Sequence, residues 1–295
     1  MSGRRIAILC PVPEYEEDCS HIQADYVRLF GEDTAFIDWT KADNLASFDL
    51  VTPLLVWGYP RASATWFALL DRIESEGLRC SNPVAVLRWN TDKTYLAVLD
   101  AAGVATVPTR MSDALDQAAL DDARAAFGSD TLVIKPPISG GADGTYRLAV
   151  GDPIPERVID QRMMIQPFLP SIAAEGEYSL FYFGGRLSHS IIKRPAAGDF
   201  RVQDQFGGYE KAIEAPGAAK ILAEAALDAT ASITGTGTLA YARVDMLRDG
   251  DGQFRLMELE LIEPSLFLRF AADKGAAFAT SLLSMTAPTR RTVEP

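Results

Sequence analysis

The chain has 295 residues, 48% hydrophobic and 23% charged, which is the balance of a folded globular protein with room for about two domains of roughly 150 residues. Forty Asp and Glu against 28 Lys and Arg leave a formal charge of -12, a field that repels phosphate backbones and anionic lipid and so argues against nucleic acid or membrane partners. Three cysteines, Cys10, Cys19 and Cys80, show no CxxC spacing, the opening MSGRRIAILCPVPEYEED has too short an apolar run for a leader, and no run nears the ~20 residues of a membrane span; a cytoplasmic setting is expected.

Strand-like segments at 5–10, 35–38 and 48–57 alternate with helical spacing at 23–30 and 63–76, which predicts a parallel α/β unit over residues 1–88. Residues 89–162 read as a small α+β unit. A helix from Tyr95 ends at Gly103, with Thr91 or Asp92 as its cap, and a second helix covers 113–127. A strand at 131–135 then leads through a Gly-rich loop, 136–144, to a returning strand at 145–150. Residues 163–295 are strand-rich: 163–168, a hairpin of 177–183 and 186–192 through Gly184-Gly185, a helix over 218–233, strands at 239–248 and 254–261, and a loose tail after Thr286.

The segment YARVDMLRDGDGQFRLMELELIEPS, residues 241–265, carries the chemistry. Alternation puts Arg243 with Asp245 on one strand face and Glu258 with Glu260 on another. If Asp251-Gly252 is a two-residue turn, Asp245 faces Glu258 and three carboxylates meet; an Asp249-Gly250 turn would set Phe254 opposite Asp245 instead. Three such carboxylates beside apolar neighbours suit a hard divalent cation, whereas a solvated hairpin face would need none. Lys135 ends a strand just before Ser139-Gly140-Gly141, an arrangement that suits phosphate or simply a hairpin turn with a snorkelling lysine. Neither GxxxxGK[ST] nor GxGxxG occurs, nor HExxH or GxSxG, and His21 and His189 stand alone in sequence. Trp57, Tyr59 and Trp66 suit a core or a pocket wall.

Together these segments resemble the ATP-grasp superfamily. ARVDMLRDGDGQFRLMELELIEPS is similar to the closing magnesium motif of D-alanine:D-alanine ligases, and KRPAAGDFRVQDQFGG, residues 193–208, resembles glutathione synthetase. RWNTDK at 88–93 and ELELIEPSLFL at 258–268 resemble the shorter ATP-grasp proteins around D-cycloserine cyclo-ligase. The resemblance implies an ATP-grasp fold of mixed α/β and α+β class: an N-terminal parallel α/β substrate domain, a small α+β central subdomain with the phosphate loop, and a C-terminal antiparallel-sheet subdomain. It implies that Lys93 and Lys135 contact ATP phosphates, that Ser139, Gly140 and Gly141 form a mobile phosphate loop, and that Gln166, Pro167, Phe168 and Leu169 form the adenine hinge. Glu177 falls where an acid binds ribose, and Asp245, Glu258 and Glu260 where carboxylates hold Mg2+. Arg243 would stabilise the tetrahedral intermediate, with Lys193 and Arg201 near the phosphoryl group or substrate carboxylate. The last magnesium position, commonly Asn in these ligases, is Glu260 here.

The implied activity is ATP-dependent activation of a small carboxylate or ureido-type amino acid as an acyl phosphate, followed by C-N bond formation with release of ADP and phosphate. The favoured form closes a ring within one substrate. The alternatives are intermolecular amide ligation, a non-catalytic ATP-binding protein, and an acidic metal-binding or structural protein. The resemblance also allows a homodimer.

Overall fold

The computed structural model describes residues 4–12, 15 and 19–286, and the tail expected after Thr286 lies outside the described residues. β1 (Ile6–Cys10) is apolar and buried at every position, as befits a central parallel strand covered on both faces. α1 (Ser20–Phe30) leads to β2 (Thr34–Asp38), and β3 (Leu50–Thr52) takes the other edge, so the order is β2-β1-β3 with both pairings parallel. The strand expected at 48–57 is much shorter. Pro53 has no N–H to continue a ladder, and the chain turns, with Leu55 N–H donating to Leu9 and Val56 N–H to Pro53. That bend carries Trp57 and Tyr59 to the wall of a cleft. α2 (Ser63–Ser75) buries Trp66, Leu69, Leu70 and Ile73, so Trp66 is a core residue.

α3 (Val84–Thr91) crosses residue 88 and has no counterpart in the sequence reading. Its last residue, Thr91, donates to Leu87 O and accepts from Trp66 Nε1, so it closes α3 and does not cap α4 (Tyr95–Ala101). Asp92 does not cap it either: the N-cap is Thr94, without a side-chain cap bond, and the Asp92 carboxylate accepts from the Thr94 N–H at 2.9 Å in the turn before the helix. The helix expected from 113 starts later. β4 (Arg110–Ser112) comes first, and α5 (Gln117–Phe127) begins where the Asp116 carboxylate accepts from Ala119 N–H at 2.7 Å. β5 (Leu132–Lys135), β6 (Tyr146–Leu148) and β7 (Met163–Pro167) complete an antiparallel sheet of order β4-β7-β5-β6.

After the short α6 (Ser171–Ala174), β8 (Glu177–Phe183) and β9 (Arg186–Arg194) form the expected hairpin, and β10 (Tyr209–Ala212) adds an edge. α7 (Gly217–Thr234), β11 (Tyr241–Arg248), β12 (Phe254–Glu260) and α8 (Ala276–Ser284) follow, giving a sheet ordered β10-β9-β8-β11-β12. α7 lays Ala219, Ala223 and Ala226 against Ala242, Val244 and Leu256, small residues that let helix and sheet approach closely. On the other face, Ile6, Ile8 and Tyr26 share one core with Phe181, Phe183, Tyr241 and Phe278. The parallel unit is therefore clamped to the large sheet. Truncating Phe278 there to Ala would cost about 3–5 kcal/mol. No helix among the described residues is long and apolar enough to cross a membrane.

Candidate active site

The two strands of the last hairpin fix the site. Asp245 faces Glu258 and Arg243 faces Glu260. Neither two-residue turn forms. Asp249 instead caps a longer loop through its carboxylate, which accepts from Asp251 and Gln253 N–H, and a bulge beside Asp245 restores the pairing. The outer edge of β12 is occupied by side chains of the RWN segment and its neighbours. Asn90 donates to Leu259 O and accepts from Leu261 N–H, and the Tyr95 hydroxyl both donates to Leu259 O and accepts from Leu259 N–H. These four bonds pin the strand between its two glutamates.

Charges alternate in sign through the site. Asp245, 1% exposed, accepts from Arg243 Nε at 3.0 and 3.1 Å, from Arg243 Nη2 at 2.9 Å and from Ser179 at 2.5 Å, with Lys193 Nζ at 3.4 Å. Burial pushes its carboxyl up, but Arg243 and Lys193 win and hold it low, at about 2. Lys193 also pairs with Glu177, its partner across β8 and β9. Gly176 makes that approach possible: at φ +109, a Cβ there would lie 2.5 Å from the Lys193 carbonyl. Arg243 further pairs with Glu260 and donates to Ser265 O at 3.2 Å. Lys93 pairs with Glu258 at 3.2 Å and donates to Ser139, tying the phosphate-loop candidate to β12.

Two openings flank this network. The smaller, about 140 Å3, is lined by Lys93, Lys135, Ser139 to Gly141, Gln166 to Leu169, Glu177 and Arg201, with an apolar slot from Val107, Phe168, Phe200, Leu247 and Met257. Gln166 donates its amide to Thr109 at 2.9 Å, and Phe168 N–H is held by Thr131 O, so the hinge segment is fixed at both ends. Lys135 is 7% exposed, yet among the described residues no hydrogen-bond or ion-pair partner meets its ammonium; burial lowers its pKa, partly offset by Glu258. The larger cleft, about 810 Å3, lies between the N-terminal wall of Trp57, Tyr59 and Arg61 and the hairpin wall of Arg243, Glu258, Glu260 and Glu263. Both openings meet at Ser139, Gly140 and Gly141, where Gly141 adopts φ +58 and its carbonyl accepts from Gln205 at 3.3 Å.

The structure therefore places Lys93, Glu258 and Glu260 on both openings, Lys193 and Arg243 on the larger cleft, and Lys135, the hinge and Arg201 on the smaller one. Glu177 borders the smaller opening but is tied to Lys193, and Arg201 is gripped by Asp199 at 2.7 to 3.3 Å with Phe206 stacked 3.6 Å below. Among the described residues no three His, Cys, Asp or Glu side chains form a metal cage. The donor chemistry nevertheless suits a divalent cation. Burial pushes Glu260 up to about 7 and, although Arg243 opposes this, the charges of Asp245 and Glu258 add to it; burial and the Glu260 charge push Glu263 up to about 8. A cation between Glu258 and Glu260 would offset that crowding, whereas Asp245 is already neutralised. Glu263 escaped the sequence reading, because only its position beside Glu260 in the cleft distinguishes it from a loop residue.

A three-stranded parallel unit, a small antiparallel sheet and a five-stranded antiparallel sheet closing on a charged cleft constitute the ATP-grasp architecture. The fold matches a crystal structure of the D-cycloserine synthetase DcsG with a TM-score of 0.81 at 27% identity, over 96% of this chain and 99% of that one. It matches D-alanine--D-alanine ligase from Bacillus anthracis with a TM-score of 0.68 at 20% identity, over 96% of each chain. In sequence, 271 residues are 31% identical to the cycloserine biosynthesis protein DcsG of Streptomyces lavendulae, covering 85% of this chain and 86% of the relative. No protein-family model matches the chain. The chain belongs to the family of ATP-grasp ligases that includes DcsG, and is an ATP-dependent, ADP-forming ligase that makes carbon–nitrogen bonds.

Proposed function

We propose that this ligase phosphorylates the carboxylate of a small amino-acid-like substrate and closes a ring onto it through a nitrogen of the same molecule, as the cycloserine biosynthesis of its relative suggests. The observation that carries the nucleotide half is Lys135, a buried ammonium that meets no partner among the described residues and lines the same pocket as the apolar slot. An anion there would convert an unfavourable buried charge into a charge-assisted pair.

In this reading the adenine lies in the apolar slot against the segment from Gln166 to Leu169, Glu177 faces the ribose, and Lys93 and Lys135 hold the phosphates under Ser139, Gly140 and Gly141. A substrate carboxylate oxygen attacks the terminal phosphorus and ADP leaves. The nitrogen nucleophile then attacks the acyl carbon, loses its proton, and displaces phosphate by cleavage of the C–O bond. Arg243 faces the oxyanion formed in that step, and Lys193 and Arg201 offset the phosphoryl charge. Glu258 and Glu260, backed by Asp245, would hold Mg2+, which supplies Lewis-acid neutralisation of phosphate charge. The glycine loop excludes water, which would otherwise hydrolyse the acyl phosphate. Cytoplasmic ATP drives the reaction, and a homodimer is the assembly we carry over.

The test is phosphate release from Mg-ATP over a panel of single D-amino acids, ureido-amino acids and amino-acid pairs. Release with one ureido-type substrate and a cyclic product of that substrate's carbon skeleton is expected. Release only with pairs would replace ring closure by intermolecular ligation, and silence across the panel would contradict the substrate assignment.

A further inference from the structure

Glu263 lies where the chain leaves β12, and its partly buried carboxylate lines the larger cleft but not the nucleotide pocket. Every other acid of the site has a cation: Glu258 has Lys93, Glu177 has Lys193, Glu260 has Arg243, and Asp245 has both Arg243 and Lys193. Among the described residues no Lys, Arg or His lies within ion-pair distance of Glu263, and the cation that acts on it from further off is Lys93, already paired with Glu258. The mirror image of Glu263 is Lys135, the unpaired cation of the nucleotide pocket. Among the described residues the two openings thus hold ionisable groups of opposite type without an ion-pair partner, an acid in one and an amine in the other.

Tyr59 and Trp57, brought there by the turn that ends β3, line the same cleft as Glu263, and Tyr59 lies close enough for the Glu263 charge to perturb its phenol. A free carboxylate facing aromatic rings fits a compact organic cation, which can take charge-assisted hydrogen bonds from one side and ring quadrupoles from the other. Two residues further on, Ser265 O accepts from Arg243, the cation on the same cleft toward which an anionic group of the substrate would turn.

Building on the amino-acid reading above, we infer that Glu263 is a specificity residue that receives the substrate's α-ammonium, on the side of the cleft away from ATP. The substrate carboxylate then points toward Arg243 and the phosphate loop. Holding that ammonium fixes the substrate's orientation, so that its carboxylate and its second nitrogen are presented together on the ATP side of the cleft.

The test compares the ureido-type amino acid that elicits phosphate with its 2-hydroxy counterpart as acceptors in Mg-ATP-dependent phosphate release, using the wild-type enzyme and Glu263→Gln. In the wild type the hydroxy compound should show a KM about 10- to 100-fold higher, the weight of one charge-assisted hydrogen bond. Glu263→Gln should raise KM for the amino compound by a similar factor, leave KM for the hydroxy compound and for ATP within about 2-fold, and keep the thermal protection by ATP. Equal KM values for the two acceptors in the wild type, or a variant that weakens both alike, would overturn the assignment even if the variant folds poorly. If no acceptor elicits phosphate from the wild type, the amino-acid ligase reading itself falls, a result separable from a misassigned Glu263.

Discussion

β11 and β12 are paired strands of one hairpin, yet they treat charge in opposite ways. Seven of the eight residues of β11 are buried, and its charged pair, Arg243 and Asp245, is saturated by mutual contact and by Lys193, Ser179 and Ser265. β12 is open along its cleft side, where Glu258 and Glu260 remain partly exposed and each has a single cation. The lesson is that acids of similar position in sequence divide into a framework set, which the fold needs, and a ligand-facing set, which it only holds in place.

The widest separation is expected at Asp245. Asp245→Ala removes the carboxylate shared by two buried cations, leaving Arg243 only Glu260 and Lys193 only Glu177, and should cost about 3–5 kcal/mol of stability in denaturant unfolding. A loss under about 1 kcal/mol would break the distinction between the strands. Glu260→Gln should do the reverse, with kcat at least about 100-fold lower, near 2.7 kcal/mol, and Tm within about 2 °C of wild type. A folded Glu260→Gln enzyme with full turnover would remove that residue from the ligand-facing set.

Lys135 sharpens the contrast from the phosphate side. Lys135→Met should raise the ATP KM by about 10-fold, and stability should hold or rise because an unpaired buried ammonium is lost. Reduced stability with unchanged ATP kinetics would move Lys135 to the framework. The smallest effect concerns an uncharged framework group, His189, which stacks 4.2 Å from Phe181 and bonds Leu266 O at 3.1 Å. Burial lowers its pKa to about 4 from 6.5, so the unfolded state binds the proton first on acidification. Stability from this group is present above pH ~6.5 and is lost as pH falls toward about 4, by about 1 kcal/mol between pH 7 and 5.5. His189→Gln should flatten that slope in pH-dependent unfolding, and an unchanged slope would place the proton uptake elsewhere.

Alternation and spacing were enough to read the hairpin faces, the pairing of β8 with β9, and the glycine loop beside Lys135. The pairing of Asp245 with Glu258 was legible as one of two registers, although it comes from a bulge and a five-residue loop, 249–253, in place of a two-residue turn. β4 and β10 were missed because strands of three and four residues leave too little alternation, and α3 because Val84–Thr91 mixes buried Asn90 and Thr91 into its apolar side. Which charges are neutralised was invisible for another reason: Asp245, Glu260 and Glu263 look alike in sequence, and only the positions of Arg243, Lys193 and Ser179 separate them.

The most direct test follows one oxygen. With a ureido-type amino-acid acceptor labelled by heavy oxygen in its carboxylate, turnover with Mg-ATP should place one labelled oxygen in each phosphate released, because the bond broken when nitrogen attacks lies between carbon and that oxygen. Phosphate released without label while the cyclic product forms would contradict activation through an acyl phosphate.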